Sequence, residues 1–325
     1  MIASFVIPVY QTERYLKACL DSLVAQTDGD FEAIVVDDGS PDGGAAGIVA
    51  AFRDARFRTV RHEANRSLLQ ARLTGLDAAS GDFVVPLDAD DTVGPELVAR
   101  LRREIAACPA VDVIAYQMLM DDGRRLRKTK MRLSDARLTG EEARARLFAS
   151  RLPCAICGKA VRRAVYRKAM AQLGVGRDFY LNSSEDLCQT FPVLMNARTV
   201  STLAYPGYRY RVNPDSLTTT LADPAKMGKA AANTRLVFAT LEGFVRRNGC
   251  DPSLVAQLEK FAEPTLEWYL GCIRHLPEAA WRACAAELCR QFPPDLVARR
   301  AMTLIENSWT FRLGRLLTAW HSRRS

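Results

Sequence analysis

Phe83-Val84-Val85-Pro86-Leu87-Asp88-Ala89-Asp90-Asp91 passes from an apolar run straight into three carboxylates. A short apolar run rich in β-branched and aromatic residues reads as a buried strand. Three acids at its end are poorly explained by packing, because like charges repel and a carboxylate is costly to desolvate without a cation nearby. In an open α/β sheet the carboxyl ends of the strands are where ligands bind. Hard oxygen ligands at such a place suit magnesium or manganese, held by one or two carboxylates together with substrate phosphates. An Asp-x-Asp by itself also fits a solvated acidic turn, so the remaining sequence has to decide.

Outward from this stretch, strand-like and helix-like segments alternate, which signals an α/β domain with a largely parallel sheet. Ser4 to Val9 and Phe31 to Val36 are buried-strand runs, and Phe57 to Arg61 is a weaker one. Between them, Tyr15, Leu16, Cys19, Leu20 and Leu23 recur at helical spacing, and Gly44 to Arg53 reads as a second helix. Ser67 is placed to cap a third helix, Pro95 to open one reaching Ala107, and Val111 to Met120 is the next strand. Asp121-Asp122-Gly123 then signals a turn, followed by a basic hairpin or loop. Helices are expected at Gly140 to Ser150, Arg163 to Leu173 and Glu185 to Asn196, and strands at Thr199 to Ala204 and Gly207 to Val212. Past Ala222 the periodicity turns helical, near 225–248, 252–272, 278–291 and 295–320. The expected division is a domain over 1–220, in two halves of about 1–120 and 121–220, and a helical region over 221–325.

With 325 residues, 48% of them hydrophobic, the chain can bury a sizeable core. No run approaches the ~18 uncharged apolar residues of a membrane span. The first residues, Met-Ile-Ala-Ser-Phe-Val-Ile-Pro-Val-Tyr, lack a basic leader region and read as a strand. Nine scattered cysteines are expected to be reduced thiols in a cytoplasmic protein, including the lone Cys154-x-x-Cys157. The net charge of +8 is concentrated in two places, six basic residues from Arg124 to Arg132 and a closing group of Arg312, Arg315, Arg323 and Arg324. Basic patches attract phosphorylated substrates, anionic membranes or nucleic acid. Without an aromatic-interleaved platform or a known binding module, nucleic acid ranks last.

Three strand ends, at Pro8-Val9-Tyr10, Asp37-Asp38 and Asp88-Ala89-Asp90, would converge on one sheet edge. Neither a dinucleotide-type Gly-x-Gly-x-x-Gly nor a P-loop is present, so acids and a metal, not a glycine cradle, would hold a nucleotide diphosphate. Asp38 is then a candidate for the base or ribose.

A longer pattern runs through these ends. It comprises Phe5-Val6-Ile7-Pro8-Val9-Tyr10 with Glu13, Leu16 and Leu20, then Gln26-Thr27, Phe31-Glu32 and Val35-Val36-Asp37-Asp38-Gly39-Ser40. Asn65, Ala71-Arg72, Gly75-Leu76, Ala79, Gly81-Asp82 and Leu87 to Asp91 continue it. Gly158-Lys159, Arg162-Arg163, Glu185-Asp186-Leu187, Tyr208-Arg209-Tyr210-Arg211 and Ser216-Leu217-Thr218 complete it. In order and spacing the pattern resembles family 2 glycosyltransferases of the GT-A fold, over about residues 2 to 218. The resemblance implies a nucleotide pocket lined by Pro8, Tyr10 and Glu13, with Asp38 on the base. It implies that Asp90, with Asp88, ligates a divalent manganese or magnesium ion on the donor diphosphate. Asp186 would be the catalytic base of an inverting transfer and Glu185 its orienting neighbour. Arg211 and Ser216 would hold the pyrophosphate, and Arg72 and Lys159 join the donor-binding set. Ser67 stands where the pattern has glycine, and Leu73 where it has a second asparagine.

The expected activity is therefore sugar transfer from a nucleotide-diphosphate sugar, a UDP-sugar foremost, to a glycan or lipid-linked acceptor in envelope polysaccharide synthesis. A nucleotidyltransferase, or a non-catalytic nucleotide-sugar-binding protein on the same fold, is the alternative. Trp309, Phe311, Leu313, Leu316, Leu317 and Trp320, interleaved with Arg312, Arg315 and Arg323, form a basic amphipathic pattern. Such a helix suits the inner face of a membrane, the protein's own core, or a second subunit in a homodimer.

Overall fold

The computed structural model describes residues 1–301, apart from 42, 130, 214–222, 274–275, 294 and 299, and apart from the side chains of 264 and 268. The chain divides into two compact units, Met1–Asn213 and Pro214–Ser325.

The first unit begins with β1 (Ala3–Val9), α1 (Glu13–Val24), β2 (Phe31–Asp37), α2 (Gly44–Ala51) and β3 (Phe57–Arg61). It continues through α3 (Leu68–Ala78), β4 (Phe83–Pro86), β5 (Thr92–Val93), α4 (Leu97–Ala107), β6 (Val113–Asp121) and β7 (Leu126–Lys128). The unit closes with β8 (Ala136–Thr139), α5 (Gly140–Phe148), β9 (Lys159–Arg162), α6 (Arg163–Leu173), α7 (Glu185–Asn196) and β10 (Thr199–Arg211).

One sheet takes the order β3-β2-β1-β4-β9-β6-β10-β5, with β7 added to β6 and β8 to β10. Parallel ladders join β3 to β2, β2 to β1, β1 to β4 and β6 to β10, and these hold most of the paired residues. The antiparallel ladders, at β4–β9, β6–β9, β6–β7, β10–β5 and β10–β8, are short. Every residue of β1 and β2 is buried, as expected of parallel strands covered on both faces. In α1, Leu16, Cys19, Leu20 and Leu23 form the buried stripe that their spacing predicts. Gly75 brings α3 close to β1, since a Cβ there would sit 2.2 Å from Val6 Cγ1.

Two expectations change in detail. Pro95 lies ahead of the N-cap Glu96, so α4 starts two residues later than a proline-opened helix would. The strands expected at Thr199 to Ala204 and Gly207 to Val212 are one strand, β10, whose register on β6 shifts between Leu203 and Tyr208 around Pro206. The short strands β5, β8 and β9 had no expectation at all.

In the second unit α8 (Pro224–Arg247), α9 (Ser253–Ile273) and α10 (Glu278–Gln291) fall where the periodicity places helices. Met227, Ala231, Leu266, Tyr269, Trp281, Cys284 and Leu288 form their core. The helix expected over 295–320 is seen at 295–298 and 300–301, while Trp309 to Arg324 lie outside the described residues. Among the described residues no helix is long and apolar enough to cross a membrane.

Candidate functional site

The topology brings the ends of β1, β2 and β4 together. Asp38 N donates to Val9 O at 2.8 Å and Gln11 N to Ser40 Oγ at 3.3 Å, tying the first two ends. Pro8 is buried within β1, whereas Tyr10 just beyond it is 42% exposed. Thr12 Oγ1 and Glu13 Oε1, at the start of α1, are buried without a hydrogen-bond partner among the described residues. Such orphaned acceptors are uncommon in folded proteins and mark places where a ligand or water completes the bonding.

Asp38 is buried, and both its oxygens are used: Arg66 N and Ser67 N donate at 2.9 and 3.0 Å, and His62 Nδ1 lies at 2.6 Å. Its side chain therefore holds the loop between β3 and α3. That loop is strained, because Ser67 adopts φ 97 and ψ 156, a region essentially reserved for glycine.

At the centre stands Arg72 of α3, only 3% exposed. Its guanidinium donates to Asp88 Oδ1 at 2.8 Å, Glu185 Oε1 at 2.8 Å and Asp186 Oδ1 at 3.3 Å. One buried cation thus gathers three of the acids singled out in the sequence. Burial, with the neighbouring Asp186 charge, pushes the Glu185 carboxyl up to about 7, against the pull of Arg72. Burial likewise raises Asp186, again opposed by Arg72. The two acids differ in access: the Glu185 side chain is 7% exposed and that of Asp186 34%. Ile156 N donates to Asp186 Oδ1 at 3.0 Å, so the loop before β9 helps to aim it.

Lys159 has a different post from donor contact. Its ammonium, 1% exposed, donates to the carbonyls of Pro153 at 2.8 Å and Ala155. Burial lowers its pKa to about 8. It fixes the loop that carries Ile156.

The three acids after β4 have separate partners. Asp88 accepts from Arg72 on one oxygen and from Cys157 Sγ, at 3.2 Å, on the other. Asp91 is buried and accepts from Tyr208 Oη at 2.6 Å and Arg211 N at 2.7 Å. Asp90 accepts from Asn213 Nδ2 at 3.1 Å, and burial together with the Asp88 charge raises its pKa. Arg211 Nε donates to Asp90 O at 3.1 Å, and its guanidinium lies 5.5 Å from the centre of the Tyr15 ring. Ser216 lies outside the described residues. Cys157, Asn213 and Ile156 had no signal in the sequence as site residues. Tyr208 did stand in the Tyr-Arg-Tyr-Arg motif, and Asp91 in the run of acids after β4.

Among the described residues no three His, Cys, Asp or Glu side chains cluster as a ready-made metal site. Asp90 would offer a hard divalent cation one oxygen donor, whose ionisation is opposed by burial and by the charge of Asp88 and would be favoured by a cation.

Comparison with known proteins adds to this geometry. The family model described as "Glycosyl transferase family 2" matches residues 4–169. The chain is 32% identical over 231 residues to the uncharacterized glycosyltransferase EpsJ of Bacillus subtilis, covering 69% of this chain and 65% of that one. It is 28% identical over 217 residues to the putative glycosyltransferase EpsH of the same organism, covering 66% and 62%. The matches thus span somewhat less than two thirds of these relatives' own length. Among solved structures, S. aureus TarS 1-349 in complex with UDP-GlcNAc superposes with a TM-score of 0.59 at 21% identity, covering 96% of this chain and 93% of that one. At that identity the likeness speaks for the fold alone.

Proposed function

The chain belongs to glycosyl transferase family 2, and from that premise we propose that it moves a sugar from a nucleotide-diphosphate sugar to a glycan or lipid-linked acceptor in envelope polysaccharide synthesis. The observation that carries the reading is the convergence of Asp88, Glu185 and Asp186 on buried Arg72, beside Asp90 and Arg211 at the strand ends. The family match does not favour a nucleotidyltransferase, and a non-catalytic protein would have little use for a partly exposed acid bonded to a buried cation. A UDP-sugar is the preferred donor, because the similar fold of S. aureus TarS is described with UDP-GlcNAc.

In the proposed inverting transfer, an acceptor hydroxyl attacks the anomeric carbon opposite the leaving diphosphate. The new carbon–oxygen bond forms as the bond to phosphate breaks, and Asp186 takes the hydroxyl proton. A well-placed base of this kind contributes typically ~10²–10⁴-fold. Arg72 Nη1 bonds both Asp186 and Glu185 and favours the ionised form of Asp186 against the pull of burial, while Nη2 is held by Asp88 on the other side. Arg211 meets the charge that grows on the departing diphosphate. Asp90, with Asp88 beside it, would hold a manganese or magnesium ion, which supplies further charge neutralisation on the phosphates when bound. Thr12 and Glu13, with their unpartnered oxygens, and Tyr10 and Pro8 would border the nucleoside. Action at the inner face of the membrane, and a homodimer built on the helical region, belong to the same proposal.

A thermal-shift screen of nucleotide sugars with manganese tests it. A ligand present at 100 times its Kd stabilises the folded state by about 2.7 kcal/mol. The expected result is a shift with one sugar nucleotide and release of its nucleoside diphosphate on adding acceptor. Absence of any shift, or release of sugar 1-phosphate in place of the nucleoside diphosphate, would overturn the reading.

A further inference from the structure

Among the described residues, the basic side chains from Arg124 to Arg132 bond none of Asp88, Asp90, Glu185 and Asp186, and the core does not explain them either. Leu126, Arg127 and Lys128, the whole of β7, are exposed. A strand that buries neither face gains little from packing. The hairpin is nevertheless well held. Asp121 accepts from Gly123 N at 2.9 Å, and Asp122 from Arg124 N and Arg125 N at 3.0 and 2.8 Å. Gln117, 4% exposed, donates to Met131 O and Thr129 Oγ1 and accepts from Leu133 N at 2.9 Å, pinning the returning chain.

The acids and the buried amide are thus spent on shape, while the basic side chains are left outward. Arg124, Arg125, Arg127, Lys128 and Arg132 are all exposed, and among the described residues only Arg127 has a carboxylate partner, Asp122 at 3.0 Å. Two apolar side chains stand with them: Leu126 is 48% and Val212 44% exposed. A groove of about 460 Å³ is lined by Met120, Asp122, Arg127, Lys128, Thr129 and Val212, the one acid among them being the partner of Arg127. Cations above an apolar floor match a phosphate carried on an apolar chain. The place matters as well, because Asp121 pairs with Arg211, and Val212 N donates to Asp121 O at 2.8 Å. The hairpin therefore borders the strand end that carries Arg211 beside Asp90.

We propose that the β6–β7 hairpin is a docking surface for an anionic lipid bilayer. Arg124, Arg125, Arg127, Lys128 and Arg132 meet headgroup phosphates, and Leu126 and Val212 enter the interface. An acceptor embedded in that surface would then be presented next to the transfer site. This last step rests on the proposed transfer activity, whereas the docking does not and is tested without it.

The test is co-sedimentation of the full chain with vesicles of phosphatidylcholine, with and without phosphatidylglycerol. The parent should pellet only with the anionic vesicles, and less as salt is added. A basic residue near such a surface contributes about a factor of five, so the Arg124→Glu/Arg127→Glu/Lys128→Glu variant should bind on the order of 10²-fold more weakly. Leu126→Ser should weaken binding several-fold. All these side chains are exposed, so melting temperatures should match the parent; if the triple variant fails to fold, Arg124→Gln/Lys128→Gln makes the same comparison. Equal binding by parent and charge variants would overturn the proposal and assign any affinity to another part, such as the closing arginines. So would a parent that ignores anionic vesicles, or one released by an equal concentration of inorganic phosphate.

Discussion

Arg72→Met removes one guanidinium and keeps most of its volume, so its effect reads the electrostatics of the site. In the parent that group bonds three carboxylates at 2.8, 2.8 and 3.3 Å from a position 3% exposed. Breaking a buried ion pair by deleting one partner costs about 3–5 kcal/mol. Asp88 and Asp186 are about a third exposed, so solvent screens their share, and most of the cost falls on buried Glu185. A loss near 3 kcal/mol is expected, which for a domain of this size lowers the melting temperature by about 6–12 °C. The sign of its pH dependence follows from Glu185, whose folded pKa is already raised to about 7. Stability from a raised carboxyl is complete below the unfolded value and is lost as pH rises through the folded one. Without Arg72 that folded value climbs further. At about pH 5 Glu185 is protonated in both proteins and the gap is small; by about pH 8 only the parent has a cation to pair with the ionised form, and the gap is widest. Urea or thermal melts across that range measure it, with Arg72→Lys recovering part of the loss because a point charge cannot reach all three acids at once. A variant that melts with its parent, or a gap that stays flat with pH, would refute the account of the hub.

Asp186→Asn should keep donor-induced stabilisation and lose transfer by about 10²–10⁴-fold, measured as initial rate; undiminished turnover would sink the base assignment. Chelator should abolish transfer and manganese restore it, while Asp90→Ala should not be rescued at the same manganese concentration. Activity unchanged in chelator would exclude the metal role. Ser67→Gly should raise stability by about 1 kcal/mol, since relief of φ 97 strain outweighs a weaker cap and a floppier unfolded chain. A lower melting temperature would contradict that ledger.

How much of this was legible in the sequence depended on how each piece is stabilised. Strands β1, β2 and β4 are covered on both faces, so their continuous apolar runs stand out against the polar turns. By contrast β9 is four residues with Lys159 and Arg162 at its ends, and β5 is two residues long. Neither is long enough to show a period, and both exist because a neighbour offers them a ladder. In the site, residue type announced the acids, but not who holds them. Arg72 and Glu185 are 113 positions apart, and only the fold brings the α3 side chain to the first residue of α7. Lys159 shows the same limit from the other side: an ammonium in a donor-binding motif can equally serve two carbonyls, and nothing in its spacing says which.

The acid triplet that decided the fold also shows why its members cannot share one role. Asp88 has one oxygen on Arg72 and the other on the Cys157 thiol, so any further ligand must displace a bond already made. Asp91 has its oxygens on the Tyr208 hydroxyl and the Arg211 amide, which ties the turn after β4 to β10. Among the described residues Asp90 accepts from one neighbouring side chain, Asn213, while burial and the charge of Asp88 work against its ionisation. It is the acid of the three with most to gain from a cation and least to give up for one. The two fixed acids hold the backbone that aims it and leave a negative field around it. That division makes the consequence of mutation uneven: removing Asp91 should cost fold stability first, removing Asp88 should release Arg72 from one side of its hub, and removing Asp90 should cost metal affinity while leaving both frameworks in place.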